Sequence, residues 1–91
     1  MESCGWVYII QSLKNGRYYI GSTTDIERRL MEHNLGKSKY TSELLPWKLV
    51  FSQNYNNLLM ARKIEYWLKK QKDVDFIRRL IFEGRINKVF G

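Results

Sequence analysis

The sequence predicts an α+β fold with its elements in the order β-β-α-β-α-α. Three observations lead there. Two β-branched and aromatic runs near the N-terminus flank an Asn-Gly pair, a third such run begins at Trp47, and the segments between and after carry apolar residues at helical spacing. A chain of 91 residues is expected to hold one domain, spanning residues 1–91 with its core between about 6 and 84, and a core of modest size.

The first run is Trp6 to Gln11 and the second Arg17 to Ser22. Both read as strands. The Asn15-Gly16 pair between them accepts the positive φ angles of a tight reversal, so the two form an antiparallel hairpin. A helix start follows. Thr24 and Glu27 are spaced as a capping box, and Asp25 favours the positive end of the helix dipole. This helix carries Ile26, Arg29, Leu30 and His33 and is expected to stop near Gly36, which suits the left-handed position after a helix. Lys37 to Pro46 is polar and basic without a period and reads as a loop. Trp47 to Ser52 is the third strand, entered through a proline. From Asn57 the pattern is helical, with Leu58, Ala61, Ile64 and Leu68 on one stripe to about Gln71. Asp73 can cap a last helix containing Phe76, Ile77, Leu80 and Ile81 before Gly84.

Composition narrows the function. Sixteen Lys and Arg against nine Asp and Glu leave a net charge of +7, which points to a polyanionic partner, nucleic acid first. A single cysteine, Cys4, rules out an intramolecular disulfide and favours the cytoplasm. One His and one distant Cys are too few for zinc, so any metal is expected to be held by oxygen. No apolar run has the length of a membrane span, and no membrane partner is expected.

Several polar residues sit where apolar ones belong. At ~100° per residue, Arg29 and His33 lie one turn apart beside Ile26 and Leu30 and face the sheet. Each is readily explained as a structural residue. Glu65 follows Ala61 by four and precedes Leu68 by three, among basic neighbours Arg62, Lys63, Lys69 and Lys70. A carboxylate bordering a core needs a partner, either a salt bridge to Arg29 or a nearby Lys, or a hard cation such as Mg²⁺. Tyr8 and Tyr19 lie on the paired strands, and partners in an antiparallel pair have numbers of constant sum. An odd sum puts both side chains on one face. A two-residue turn gives an odd sum with an offset of four positions, about 13 Å along the strand. A looser four-residue loop is expected to set them opposite each other, and a three-residue loop would separate the faces. By themselves these tyrosines read as core.

The spacing of these residues resembles that of the GIY-YIG nuclease superfamily. Tyr19-Ile20-Gly21 stands intact as the second half of the signature, while the first half reads Trp6-Val7-Tyr8. Arg29 and His33 resemble the family's helical Arg and its His or Tyr, and Glu65 resembles its metal-binding Glu. The match runs from about Val7 to Lys72, and Lys39-Tyr40-Thr41 with Pro46 to Val50 is most similar to small stand-alone bacterial members. The resemblance implies a three-stranded antiparallel sheet flanked by helices. It also implies metal-dependent hydrolysis of phosphodiester bonds, with DNA expected ahead of RNA, by one displacement at phosphorus with a single Mg²⁺ or Mn²⁺. Tyr8 then activates water or relays its proton, with nearby cationic charge favouring phenolate, since a free phenol titrates near pH ~10. Tyr19 positions the nucleophile or phosphate, Arg29 clamps the phosphate, His33 positions the nucleophile or aids proton transfer, and Glu65 holds the metal. Gly21 permits close backbone approach. Tyr40 and Asn87 are further candidates, Asn87 the less securely aligned.

The competing expectation is a catalytically silent nucleic-acid-binding module of the same fold. A protein-interaction domain with incidental charge is a third. Larger relatives carry separate recognition domains, for which 91 residues leave no room, and repair, recombination and processing roles are not distinguished by the sequence. Nor is oligomeric state.

Overall fold

The reversal at Leu13–Gly16 sets the register of the sheet. In the computed structural model, which describes residues 4–88, the Ser12 N–H donates to the Arg17 carbonyl at 2.8 Å and the Gly16 N–H to the Ser12 carbonyl at 2.9 Å. Residues 1–3 and 89–91 of the expected domain lie outside the described residues. Four residues thus make the loop, where the Asn-Gly pair alone suggested two. The Ser12 hydroxyl accepts from the Lys14 and Asn15 N–H groups and supports this wider turn, in which Gly16 takes φ +80°.

Strand β1 (Gly5–Ser12) is central in a three-stranded antiparallel sheet of order β2-β1-β3, between β2 (Tyr18–Thr23) and β3 (Trp47–Tyr55). Its buried run Val7 to Ile10 serves two layers because successive side chains point to opposite faces. Val7 and Ile9 meet Phe51, Ala61, Ile64, Leu68, Ile77, Leu80 and Ile86 on one side. Tyr8 and Ile10 meet Trp47, with Ile26, Leu30, Leu44 and Leu45 against them, on the other. Each fully buried aliphatic side chain here contributes roughly 1.5–3 kcal/mol. The predicted element order and the three-stranded antiparallel sheet are both present.

Helix α1 (Ile26–Asn34) covers the Tyr8 face, whereas α2 (Leu58–Gln71) and α3 (Val74–Glu83) contribute the core residues of the Val7 face. The start of α1 differs from expectation. Asp25, not Thr24, is the N-cap, and its Oδ1 accepts from the Arg28 N–H at 3.1 Å. The preceding strand extends through Thr23, whose hydroxyl accepts from the Asp25 N–H at 3.1 Å, so the cap falls one residue later and places a carboxylate at the helix's positive end. Asp73 caps α3 as expected, and Asn57, where the helical pattern begins, caps α2. Gly36 and Gly84 take positive φ just past α1 and α3.

The segment read as an unstructured loop contains a short 3₁₀ turn, Ser42–Leu44, and β3 runs three residues beyond its expected end. Two side-chain clasps fix the surroundings. Asn34 bonds both main-chain groups of Trp47, accepting from its N–H at 2.7 Å and donating to its carbonyl at 3.0 Å. Gln53 does the same for Ile86, accepting from its N–H at 2.8 Å and donating to its carbonyl at 3.1 Å, and anchors the segment after α3. Among the described residues no helix is long and apolar enough to cross a membrane.

Candidate active site

Tyr8 pairs with Gly21 and Ile10 with Tyr19, so the register sum is odd and both phenols project from the α1 face. They are neither opposite nor four positions apart. The four-residue loop leaves them diagonal, two positions apart, an offset that aromatic side chains span readily. The approach permitted by Gly21 is that of the Tyr8 ring. A Cβ on residue 21 would stand 2.5 Å from Tyr8 Cζ and closer still to the hydroxyl oxygen. Only a residue without a side chain lets the phenol lie across β2.

Tyr8 reaches His33, its hydroxyl oxygen 2.9 Å from Nε2. The other ring nitrogen, Nδ1, lies 2.7 Å from Thr41 Oγ1, and the Thr41 carbonyl accepts from the Trp47 indole N–H at 2.9 Å. His33 and Thr41 are fully buried. The helical spacing that turned His33 toward the sheet therefore delivers it between a strand tyrosine and a loop threonine. The Tyr19 ring meets His33 edge-on with centroids 5.2 Å apart, and Tyr40, largely exposed, extends the aromatic group from 5.7 Å.

Arg29 lies one turn before His33 and is partly exposed. Its Nη1 donates to Glu32 Oε1 at 3.0 Å. Burial works against its charge, but hydrogen bonds to Glu32 and Tyr8 and the charge of Glu32 raise its pKa further. Burial also pushes the Tyr8 phenol up to about 12. The Arg29 hydrogen bond and charge pull the other way, while Tyr19 and Glu65 add to the rise. Cationic charge from Arg29 thus favours phenolate, as expected, but in the free protein desolvation outweighs it. Burial, assisted by Arg29, depresses His33 to about 4, so its imidazole is neutral at pH 7.

Glu65 comes from the other layer. Ser22 pairs with Val7 and so points to the α2 face, where its hydroxyl donates to Glu65 Oε1. Oε2 lies 2.6 Å from Lys69 Nζ, one helical turn on. The carboxyl is thus turned toward the β2 edge, at the border of the Ala61-Ile64-Leu68 stripe, and its side chain is 20% exposed. Its partner is a neighbouring lysine rather than Arg29. Lys69 Nζ also stands 5.7 Å from the Tyr19 ring centroid, so a continuous set of contacts runs from Tyr8 through His33, Tyr19 and Lys69 to Glu65.

Five of the sequence candidates, Tyr8, Tyr19, Arg29, His33 and Glu65, thus gather at the β2 edge, with Gly21 beneath Tyr8 and Tyr40 at the rim. Asn87 does not join them. It is exposed beside Ile86, which is clasped to β3 at the opposite edge of the sheet. Sequence reading missed two participants, Thr41 and Ser22, and offered a third, Lys69, among the lysines able to pair with Glu65. Thr41 and Ser22 are ordinary polar residues in a loop and a strand, and nothing in their spacing signals a contact. Lys69 was legible as the i+4 partner of Glu65.

Among the described residues no group of three or more His, Cys, Asp or Glu is placed to hold a metal ion. One carboxylate is enough for a Mg²⁺-like cation that keeps most of its waters and shares substrate phosphates. The donor set fits such an ion, since Glu65 Oε2 already accepts a cation in the form of the Lys69 ammonium. A groove of about 1130 Å³ opens alongside, lined by Tyr19, Tyr40, Trp47, Lys69, Lys72 and Arg78 among others.

Comparison with known proteins bears out the family resemblance. Residues 4–74 match the model of the GIY-YIG catalytic domain. A UPF0213 protein of Streptococcus pneumoniae is 41% identical over 73 residues, covering 79% of this chain and 73% of that one. The UPF0213 protein YazA of Bacillus subtilis is 32% identical over 71 residues, 77% of this chain and 72% of the relative. The solution NMR structure of a UPF0213 protein from Bacillus halodurans superimposes with a TM-score of 0.54 at 32% identity, covering 89% of this chain and 86% of that one.

Proposed function

The chain belongs to the GIY-YIG catalytic-domain family, and on that premise we propose that it is a metal-dependent endonuclease that hydrolyses phosphodiester bonds in DNA. The observation that carries the reading is the bond between the Tyr8 hydroxyl and His33 Nε2 beside Arg29. It couples a phenol to a neutral imidazole next to a guanidinium, as water activation at a phosphate requires.

With pKa near 12, Tyr8 enters the reaction protonated and works as a relay. The Thr41 hydroxyl donates to the Ser38 carbonyl at 3.5 Å, so its oxygen is available to accept from His33 Nδ1–H, and in that tautomer the Nε2 lone pair takes the Tyr8 proton. The phenol oxygen takes a proton from the attacking water as its own passes to Nε2. His33 is a weak base in the free protein partly because Arg29 repels its protonated form. A phosphodiester bound at Arg29 brings negative charge that offsets this repulsion, and the imidazole gains basicity when substrate is present. The same guanidinium clamps the phosphate and offsets charge developing on its oxygens. Tyr19, held against His33, orients the water or a phosphate oxygen.

Glu65, with Ser22 as its neighbour, would hold Mg²⁺ or Mn²⁺. Such an ion supplies charge stabilisation for the leaving oxygen. Tyr40 lines the groove where the strand would continue.

A second reading, a binding module of the same fold that cuts nothing, is favoured by the engagement of both Glu65 oxygens, with Ser22 and Lys69. A cleavage panel separates the two. Duplex, flap, junction and single-stranded DNA are incubated with Mg²⁺, Mn²⁺ or chelator, for wild type and Glu65→Ala. The nuclease reading expects cutting of at least one substrate by wild type only with metal, and none by the variant. Retention of DNA without cleavage under any metal would establish the binding module.

A further inference from the structure

Lys69 stands where the proposed chemistry needs a cation and a phosphate ligand in turn. Its ammonium is 2.6 Å from Glu65 Oε2 and 5.7 Å from the Tyr19 ring centroid, and it lines the groove with Tyr40 and Trp47. Glu65 Oε1 is taken by Ser22, so the oxygen held by Lys69 is the one that a metal ion would take over. The lysine side chain is 47% exposed, and an ion pair that open to solvent is weak enough to exchange partners. Its flexible stem and point charge suit a head that moves, unlike the planar fork of Arg29.

We propose that Lys69 is a resident cation for Glu65 in the free protein and a phosphate ligand in the substrate complex, passing from the carboxylate to the nucleic-acid backbone when a divalent ion is bound at Glu65. The proposal rests on the reading of Glu65 as the metal carboxylate. Without nucleic acid, the ammonium competes with the metal for one oxygen and repels it, so the free protein holds metal weakly. Bound phosphate gives the ammonium another partner and relieves both effects. Metal and nucleic acid therefore bind cooperatively, each raising affinity for the other by the same factor.

The test is Mn²⁺ affinity of the protein without DNA, measured by calorimetry on wild type, Lys69→Met and Glu65→Gln. Methionine keeps an unbranched stem of similar reach and removes the charge. Lys69→Met is expected to bind Mn²⁺ more tightly, by up to about fivefold, the factor set by loss of an exposed ion pair. It is also expected to bind a short oligonucleotide more weakly in the presence of Ca²⁺, with a shallower salt dependence. Glu65→Gln is expected to lose the Mn²⁺ site. Unchanged or weaker Mn²⁺ binding in Lys69→Met, with the site still lost in Glu65→Gln, overturns the role of Lys69 and leaves Glu65 as metal ligand. Equal Mn²⁺ binding by wild type and Glu65→Gln overturns the proposal together with the metal reading. Thermal unfolding of the free variants accounts for loss of the helical ion pair.

Discussion

The void above Gly21 is filled by the ring of Tyr8, and this makes a residue with no functional group decisive for the site. Gly21→Ala is expected to push the phenol off His33, costing roughly 1–3 kcal/mol through overpacking, together with most of the cleavage activity. Urea denaturation and a nicking assay on the same preparation read both effects. His33 gives a second residue-scale prediction. Its pKa falls from about 6.5 unfolded to about 4 folded, so the unfolded chain binds the extra proton between those values. Its contribution to stability is complete above pH ~6.5 and is lost as pH falls toward ~4, by on the order of 3 kcal/mol. Denaturation at pH 7 and at pH 4.5 checks this, and His33→Asn is expected to flatten the difference. Helical spacing placed Arg29 and His33 on the sheet side from sequence alone. It left Thr41 unseen, because the His33–Thr41 bond closes across a loop with no periodicity to project it.

Elements hold the site at a strand edge where two layers meet, and beside the apolar packing of α1 on Trp47 one amide side chain clasps α1 to β3. Asn34 satisfies the Trp47 N–H and carbonyl together. Asn34→Ala leaves both groups without that partner, and the expected loss is about 1–3 kcal/mol, measured by chemical denaturation, with α1 and its Arg29 less firmly placed. Most of this level was legible. Alternating and helical patterns gave the six elements in order, and Asn57 and Asp73 announced their helices. The reversal was misjudged because Ser12 stabilises a wider loop than the Asn15-Gly16 pair alone would form. The α1 cap shifted because pairing with β1 carries β2 through Thr23. The buried Ile86 was not legible, since its contacts come from Gln53 on a distant strand.

At the scale of the whole molecule, a net charge of +7 and the cationic groove beside Tyr19 favour a polyanion through counterion release. Oligonucleotide affinity is expected to fall steeply and log-linearly with salt concentration, with little dependence on sequence. Fluorescence anisotropy between low and physiological salt measures the slope. The composition announced this property, while the site's position at the β2 edge required the fold, because Glu65 and Tyr8 lie on different layers. The claim on which the account rests is that Tyr8 works through its hydroxyl. Its most direct test is the single-turnover cleavage rate of Tyr8→Phe with Mn²⁺, with the variant's fold and DNA affinity measured alongside. Loss of one oxygen is predicted to slow cleavage by about 10²-fold or more while fold and affinity stay at wild-type values. Cleavage by that variant at the wild-type rate would contradict the account.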